Sequence, residues 1–111
     1  MRRMNDWRTD FEMEIARAES ARAKKNEGQA RVCARRAAGI VVREYFKRTG
    51  TSVRTPSAYD LLKLLAGQPL LPAHAQRAAS LLTQRVDEEF HLPAQADLIA
   101  EARRLCEALL P

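Results

Sequence analysis

Apolar residues recur along this chain at intervals of three and four rather than two, the period of a helix buried along one stripe. In the first such stretch Trp7, Phe11, Ile15 and Ala18 share a side. Asn5 or Asp6 can cap its start, and the pattern predicts a helix reaching about Lys25. Between the apolar positions Glu14 with Arg17 and Glu19 with Arg22 alternate in charge, as on a solvated face. Asn26, followed three residues later by Gln29, has the form of a capping box and opens a second helix. That helix is expected to run to about Arg48, with Gly50 supplying the stop. Projected at about 100° per residue, Ala30, Ala34, Ala37, Ala38, Val41 and Tyr45 form one face of it, and Arg36, Arg43 and Lys47 gather on the other side. Such small residues suit close helix packing. Tyr45 and Phe46 are expected to fill the core or a dimer seam.

Thr49 to Pro56 is polar and punctuated by Gly50 and Pro56, which reads as a connection. Ser57 with Asp60 then opens a short third helix ending at Gly67, with Leu61, Leu62, Leu64 and Leu65 as its core. Beyond Pro69 and Pro72 a fourth helix is predicted from Ala73 to about His91, buried through Ala75, Ala78, Ala79, Leu82, Val86 and Phe90. Pro93 ends it, because the residue before a proline is pushed out of helical geometry, and suits the first turn of a fifth helix reaching about Leu110. Leu98, Ala102, Leu105 and Leu109 would bury that last helix. The expectation is a single all-α domain over residues 1–111, an up-and-down helical bundle of four long helices plus one short helix.

Composition agrees with that picture. At 111 residues, with 46% hydrophobic residues but only 5% aromatic, the chain can bury one small Ala- and Leu-rich core, and a core of that size gains from a partner. No apolar run approaches the roughly 20 residues of a membrane span, and the first ten residues lack the apolar stretch of a signal peptide. A cytoplasmic protein with no membrane role is expected. Cys33 and Cys106 lie far apart among apolar residues and read as buried reduced thiols. With His74 and His91 the only histidines and no ligand-like spacing, no metal or other cofactor is expected.

Charge is uneven. Residues 1–54 carry fourteen Lys and Arg against seven Asp and Glu, whereas residues 55–111 carry five against seven. A basic N-terminal half can attract an anionic partner, RNA foremost, through its phosphates, and equally can serve as a solubilising surface. Arg36, Arg43 and Lys47 are the candidate nucleic-acid contacts.

The stretch from Gly28-Gln29-Ala30-Arg31-Val32-Cys33-Ala34-Arg35-Arg36 to Tyr45-Phe46, then Tyr59-Asp60-Leu61-Leu62-Lys63-Leu64-Leu65, resembles the HEPN family. The segment Ala96-Asp97-Leu98-Ile99-Ala100-Glu101-Ala102-Arg103-Arg104-Leu105 is similar to that family's closing helix. The resemblance implies a HEPN-like bundle of four or five helices with an Ala-rich second helix and a short third one. Many HEPN domains carry an Arg followed a few residues later by a His, which in catalytic members line an RNA-cleaving site at a two-fold dimer interface. Arg85-Val86-Asp87-Glu88-Glu89-Phe90-His91 has that form. The resemblance thus implies catalytic roles for Arg85, holding the scissile phosphate, and His91, as general acid or base in attack by the 2′-hydroxyl. Read without it, Arg85 is an ion-pair partner of Glu88 or Glu89, and His91 caps a helix C-terminus.

Two functions remain in view. The first is a dimeric HEPN-like domain linked to RNA or nucleotide binding, acting as a metal-independent, toxin-like endoribonuclease with a cognate antitoxin or nucleotidyltransferase as partner. The second is a non-catalytic homodimeric protein-interaction module, in which the small-residue face and the leucines build the interface and the basic face keeps the protein in solution.

Overall fold

A computed structural model describes residues 6–69, 71–83 and 97–110. The described residues form helices alone, with α1 at Trp7–Ala23, α2 at Glu27–Arg48, α3 at Ala58–Ala66, α4 at Ala73–Thr83 and α5 at Leu98–Leu109. No strand occurs among the described residues, and none of their helices is long and apolar enough to cross a membrane.

Helices α1 and α2 form an antiparallel hairpin, bringing the Arg48 guanidinium at the end of α2 to 5.7 Å from the Trp7 ring at the start of α1. The reversal is local chemistry. Lys25 adopts a left-handed φ of 62°, and the Asn26 and Lys25 N–H groups donate back to the carbonyls of Ala21 at 2.8 Å and Arg22 at 2.9 Å. That bond pair is a Schellman closure, which satisfies carbonyls the helix leaves open. Helix α2 ends the same way, with Gly50 at φ 76° and the Thr51 N–H donating to Phe46 at 2.9 Å. The anticipated capping box at Asn26 is only half formed. Asn26 Oδ1 accepts from the Gln29 N–H at 3.1 Å, but the Asn26 N–H is already spent on Ala21. The Gln29 amide therefore turns to Cys33 Sγ at 3.5 Å.

Helix α2 is the hub and packs against each of the other four. Ala30, Cys33, Ala34, Ala37, Ala38, Gly39, Val41, Val42 and Phe46 are all buried, a far wider arc than a single face. Small side chains permit this, because they let backbones approach from several directions at interior packing density. Phe46 is the bulkiest fully buried side chain, with Tyr45 packed partly buried against the core beside it, and burial of this kind contributes about 1.5–3 kcal/mol. Phe11, Ile15 and Ala18 of α1 close one side of the core, and Trp7 is only partly buried. Both Cys33 and Cys106 are buried free thiols, and desolvation raises the Cys106 pKa above that of an ordinary thiol.

Helix α3 starts as its sequence suggests, Ser57 accepting the Asp60 N–H at 3.2 Å. Its Leu64 is a correction. Leu61, Leu62 and Leu65 are buried whereas Leu64 is 48% exposed, since it projects away from the other three. Helix α5 begins at Leu98, where Asp97, in extended conformation, caps its start by accepting from the Ala100 N–H. At its other end Leu110 is buried and Leu109 only partly so. The expected continuation of the fourth helix to His91, with Val86, Phe90 and Pro93, lies outside the described residues.

Helix α3 lies unusually close to α2. A Cβ on Gly39 would come within 2.6 Å of the Ala58 Cβ and 3.0 Å of its Cα, so the absence of a side chain at position 39 sets how near the first turn of α3 can approach. This contact places residues 55–59 beside the arginines of α2.

Candidate anion-binding cleft

Arg36, Arg43 and Lys47 are separated by seven and four residues. Those spacings place them within a sector of about 40° on one side of α2. All three are exposed. Arg36 and Arg43 line an open cleft of about 500 Å³ between α2 and the start of α3, walled also by Val32, Arg35, Gly39 and Ile40 of α2 and by Ala58, Tyr59 and Leu61 of α3. Lys47 continues the basic row one turn beyond Arg43 and is not part of the cleft wall.

Each cleft arginine is held differently. Arg43 Nη2 donates to the Thr55 carbonyl at 3.1 Å, in a connection ordered by the Thr55 hydroxyl, which donates to Asp60 at 3.1 Å and accepts from the Ser57 N–H. Arg35 is only partly exposed and donates through Nε to the Leu82 carbonyl of α4 at 2.9 Å. Burial lowers its pKa, with Arg31 pushing the same way and Tyr59 opposing. A guanidinium stays protonated throughout the physiological range, and no carboxylate pairs with Arg35 among the described residues. Arg36 makes no hydrogen bond or ion pair with another described residue.

The acidic groups nearby are already engaged. Glu14, also in the cleft wall, pairs with Arg17 at 3.3 Å, and Asp60 accepts from Thr55 and sits in the first turn of α3. Three guanidiniums therefore face a single, partly neutralised carboxylate across a lining that is otherwise largely apolar. This arrangement suits an anion with an apolar body, because guanidinium N–H groups pair with phosphate oxygens in a fork and the pairing strengthens as water is excluded.

Of the three residues the sequence singles out, Arg36 and Arg43 line the cleft; the sequence does not single out Arg35, which stands at the border between the buried and exposed sides of α2. A long side chain there can lay its stem on the core and still bring its head to a cleft. Arg85 and His91 lie outside the described residues. The chain matches no family model, no curated protein and no solved structure; the cleft's chemistry has to be argued from its own geometry.

Proposed function

We propose that this chain is a HEPN-like helical domain that works as a homodimer and binds RNA along α2, through the phosphate contacts of Arg36, Arg43 and Lys47. The observation that carries this reading is the company these cations keep. Several arginines elsewhere on the described surface are tied to carboxylates: Arg22 to Asp97 at 2.9 Å, Arg48 to Glu44 at 3.0 Å, Arg103 to Glu12 at 3.3 Å. Among the described residues Arg36 has no such partner, and Arg43 has only a carbonyl. A row of cations left without counter-charges on one helix side is what phosphate binding requires and what mere solubility does not. The short, Ser-capped third helix packed on an Ala-rich central α2 supports the HEPN-like arrangement.

Within this proposal Arg85 and His91 are the cleaving pair. A fluorescent single-stranded RNA titrated with protein should bind, weaken steeply with salt, and be lost when Arg36, Arg43 and Lys47 are changed together to Gln. With a chelator present, cleavage should continue in the wild type and stop in Arg85→Ala and His91→Ala. If RNA binds but is never cut, the nuclease part fails alone. If RNA does not bind at low salt, the whole reading falls and the interaction module takes its place.

A further inference from the structure

Phosphate contacts give the cations of α2 a use and leave the apolar wall beside them without one. That wall does not stop at the cleft. Ile40 and Glu14 also line a second, adjoining cleft of about 260 Å³ on the α1 side of α2, together with Asp10, Met13 and Arg17. Ile40 is therefore the middle of an apolar stripe, with Met13 of α1 on one side and Ala58 and Tyr59 of α3 on the other. Met13 is 50% exposed, and among the described residues only Leu64 is a large hydrophobic left out to a similar degree. Arg36 and Arg43, four residues before Ile40 and three after it, edge the stripe with positive charge on both flanks. The Lys63 ammonium, 5.8 Å from the Tyr59 ring centroid, adds another cation at the α3 end. An apolar centre within a charged rim is the build of a protein contact, and a flexible thioether lets such a surface adapt to what it meets.

Two occupants fit this face badly. A second copy docking through it about a two-fold axis would set Arg35, Arg36 and Arg43 against their own images, since such an interface presents the same patch from both sides. A nucleic-acid strand crossing to Met13 would bring phosphates to a lining that carries two carboxylates, Asp10 and Glu14, and one guanidinium, Arg17. We propose that the face docks an acidic amphipathic helix of another protein, its apolar residues across Met13, Ile40 and Tyr59 and its flanking carboxylates on Arg36 and Arg43. This goes beyond the RNA reading and does not depend on it. Carboxylates supply the counter-charge that neither guanidinium receives from a described residue, and they match a guanidinium's fork of donors. Apolar residues one turn apart on a helix reach successive points along a stripe, which is how a helix is recognised in a groove. Arg43 is already steadied by the Thr55 carbonyl, and a donor held in place beforehand lowers the ordering cost of binding.

The test is a selection of random peptides of about 14 residues, roughly 20 Å long as a helix, displayed on phage and captured by the full chain. Enriched sequences should carry apolar residues at helical spacing beside Asp or Glu, and a fluorescent synthetic copy of the most enriched one should bind at micromolar strength. Met13→Gln and Arg36→Gln, both at exposed positions that leave the core untouched, should each weaken that peptide about tenfold, the first through lost apolar burial and the second through a lost charge-assisted pair. Leu64→Gln, as exposed as Met13 but outside both clefts, should leave peptide affinity as it was, and Met13→Gln should leave single-stranded RNA binding as it was. No enrichment, enrichment of basic or unpatterned sequences, or an undiminished affinity in Met13→Gln overturns the proposal. So does RNA binding that weakens with Met13→Gln, which assigns the stripe to RNA. Light scattering that finds a dimer in the wild type and a monomer in Met13→Gln overturns it in favour of a second copy. Patterned peptide binding by a chain that does not bind RNA supports the docking face and removes the RNA reading alone.

Discussion

Two sides of this molecule handle cations in opposite ways. Where α1 meets α5, Arg22 reaches Asp97 and Glu27, and Arg103 reaches Glu12 and Glu19. Arg104 pairs with the buried Glu101 within α5 at 2.9 Å. Along α2 from Arg31 to Arg43, no guanidinium is paired with a carboxylate among the described residues, and the two that are bonded use backbone carbonyls. Exposed pairs of the first kind contribute little stability individually, a few tenths of a kcal/mol each, but they cancel field. The second side keeps its field available to a ligand. Counting Lys and Arg along the chain treats both sides alike, so the difference is a matter of where the carboxylates stand and not of net charge.

That contrast breaks most readily through binding. Neutralising Arg36, Arg43 and Lys47 to Gln removes three charges, and neutralising Arg17, Arg22 and Arg103 removes the same number from the paired side. We expect the first triple to weaken RNA about a hundredfold at low salt and to lower the salt slope by about 2, at roughly 0.7 per single-strand phosphate contact. The second should change affinity by less than about threefold. Equal losses would mean that overall charge, and not the α2 row, draws the RNA.

Next in size is the contact that holds the open side together. Gly39→Val has no room against Ala58, so α3 must shift. Overpacking of this kind costs about 1–3 kcal/mol, and a fall in Tm of several degrees with weakened RNA binding is the expected result. An unchanged Tm would show that α3 is not seated where the Gly39 contact puts it.

The paired side has its own test in Asp97, which caps α5 and pairs with Arg22. Asp97→Ala should cost about 1 kcal/mol through the lost cap. Burial alone would raise the Asp97 pKa, but the Arg22 and Ala100 hydrogen bonds outweigh it and hold the carboxyl below its ordinary value. A depressed carboxylate adds stability that is present above about pH 4, its unfolded range, and is lost as pH falls through the lower folded value. Asp97→Asn keeps a capping oxygen while removing that charge, so its Tm should fall less than wild type between pH 7 and pH 3. Parallel acid curves would dismiss the pair as a source of stability.

The smallest effect expected is at the turn between α1 and α2. Lys25 pays for a left-handed backbone without the freedom of glycine, and Lys25→Gly should stabilise by about 0.5 kcal/mol. Chemical unfolding would read this as a raised midpoint with an unchanged slope.

What could be read from the sequence was what depends on neighbours in the chain. Asn26 with Gln29, Ser57 with Asp60 and Gly50 each mark a helix end through bonds spanning three to five residues, so these boundaries emerge without any tertiary knowledge. Leu64 was misplaced because four leucines in five positions cannot share a face, and it lies roughly 100° round the helix from the midline of Leu61, Leu62 and Leu65. The basic row was legible from helical periodicity alone, but the cleft was not. It exists only once Gly39 admits Ala58 and Arg35 finds the Leu82 carbonyl, a partner 47 residues away, and neither event leaves a mark in local spacing.

Gly39 and Gly50 both resist substitution, yet their requirements differ in kind. At position 39 the backbone is ordinary helix and the space is full. At position 50 nothing lies within 4 Å, and any strain on an L side chain comes from the left-handed backbone alone. Handedness separates them. A chemically synthesised chain carrying D-alanine at position 50 would keep its turn intact, because mirror-image chirality favours a left-handed φ. The same residue at position 39 would have to fit a right-handed helix that its chirality disfavours. One position of this protein is reserved by geometry of the chain, the other by the presence of a neighbour, and only a mirror-image amino acid can tell which is which.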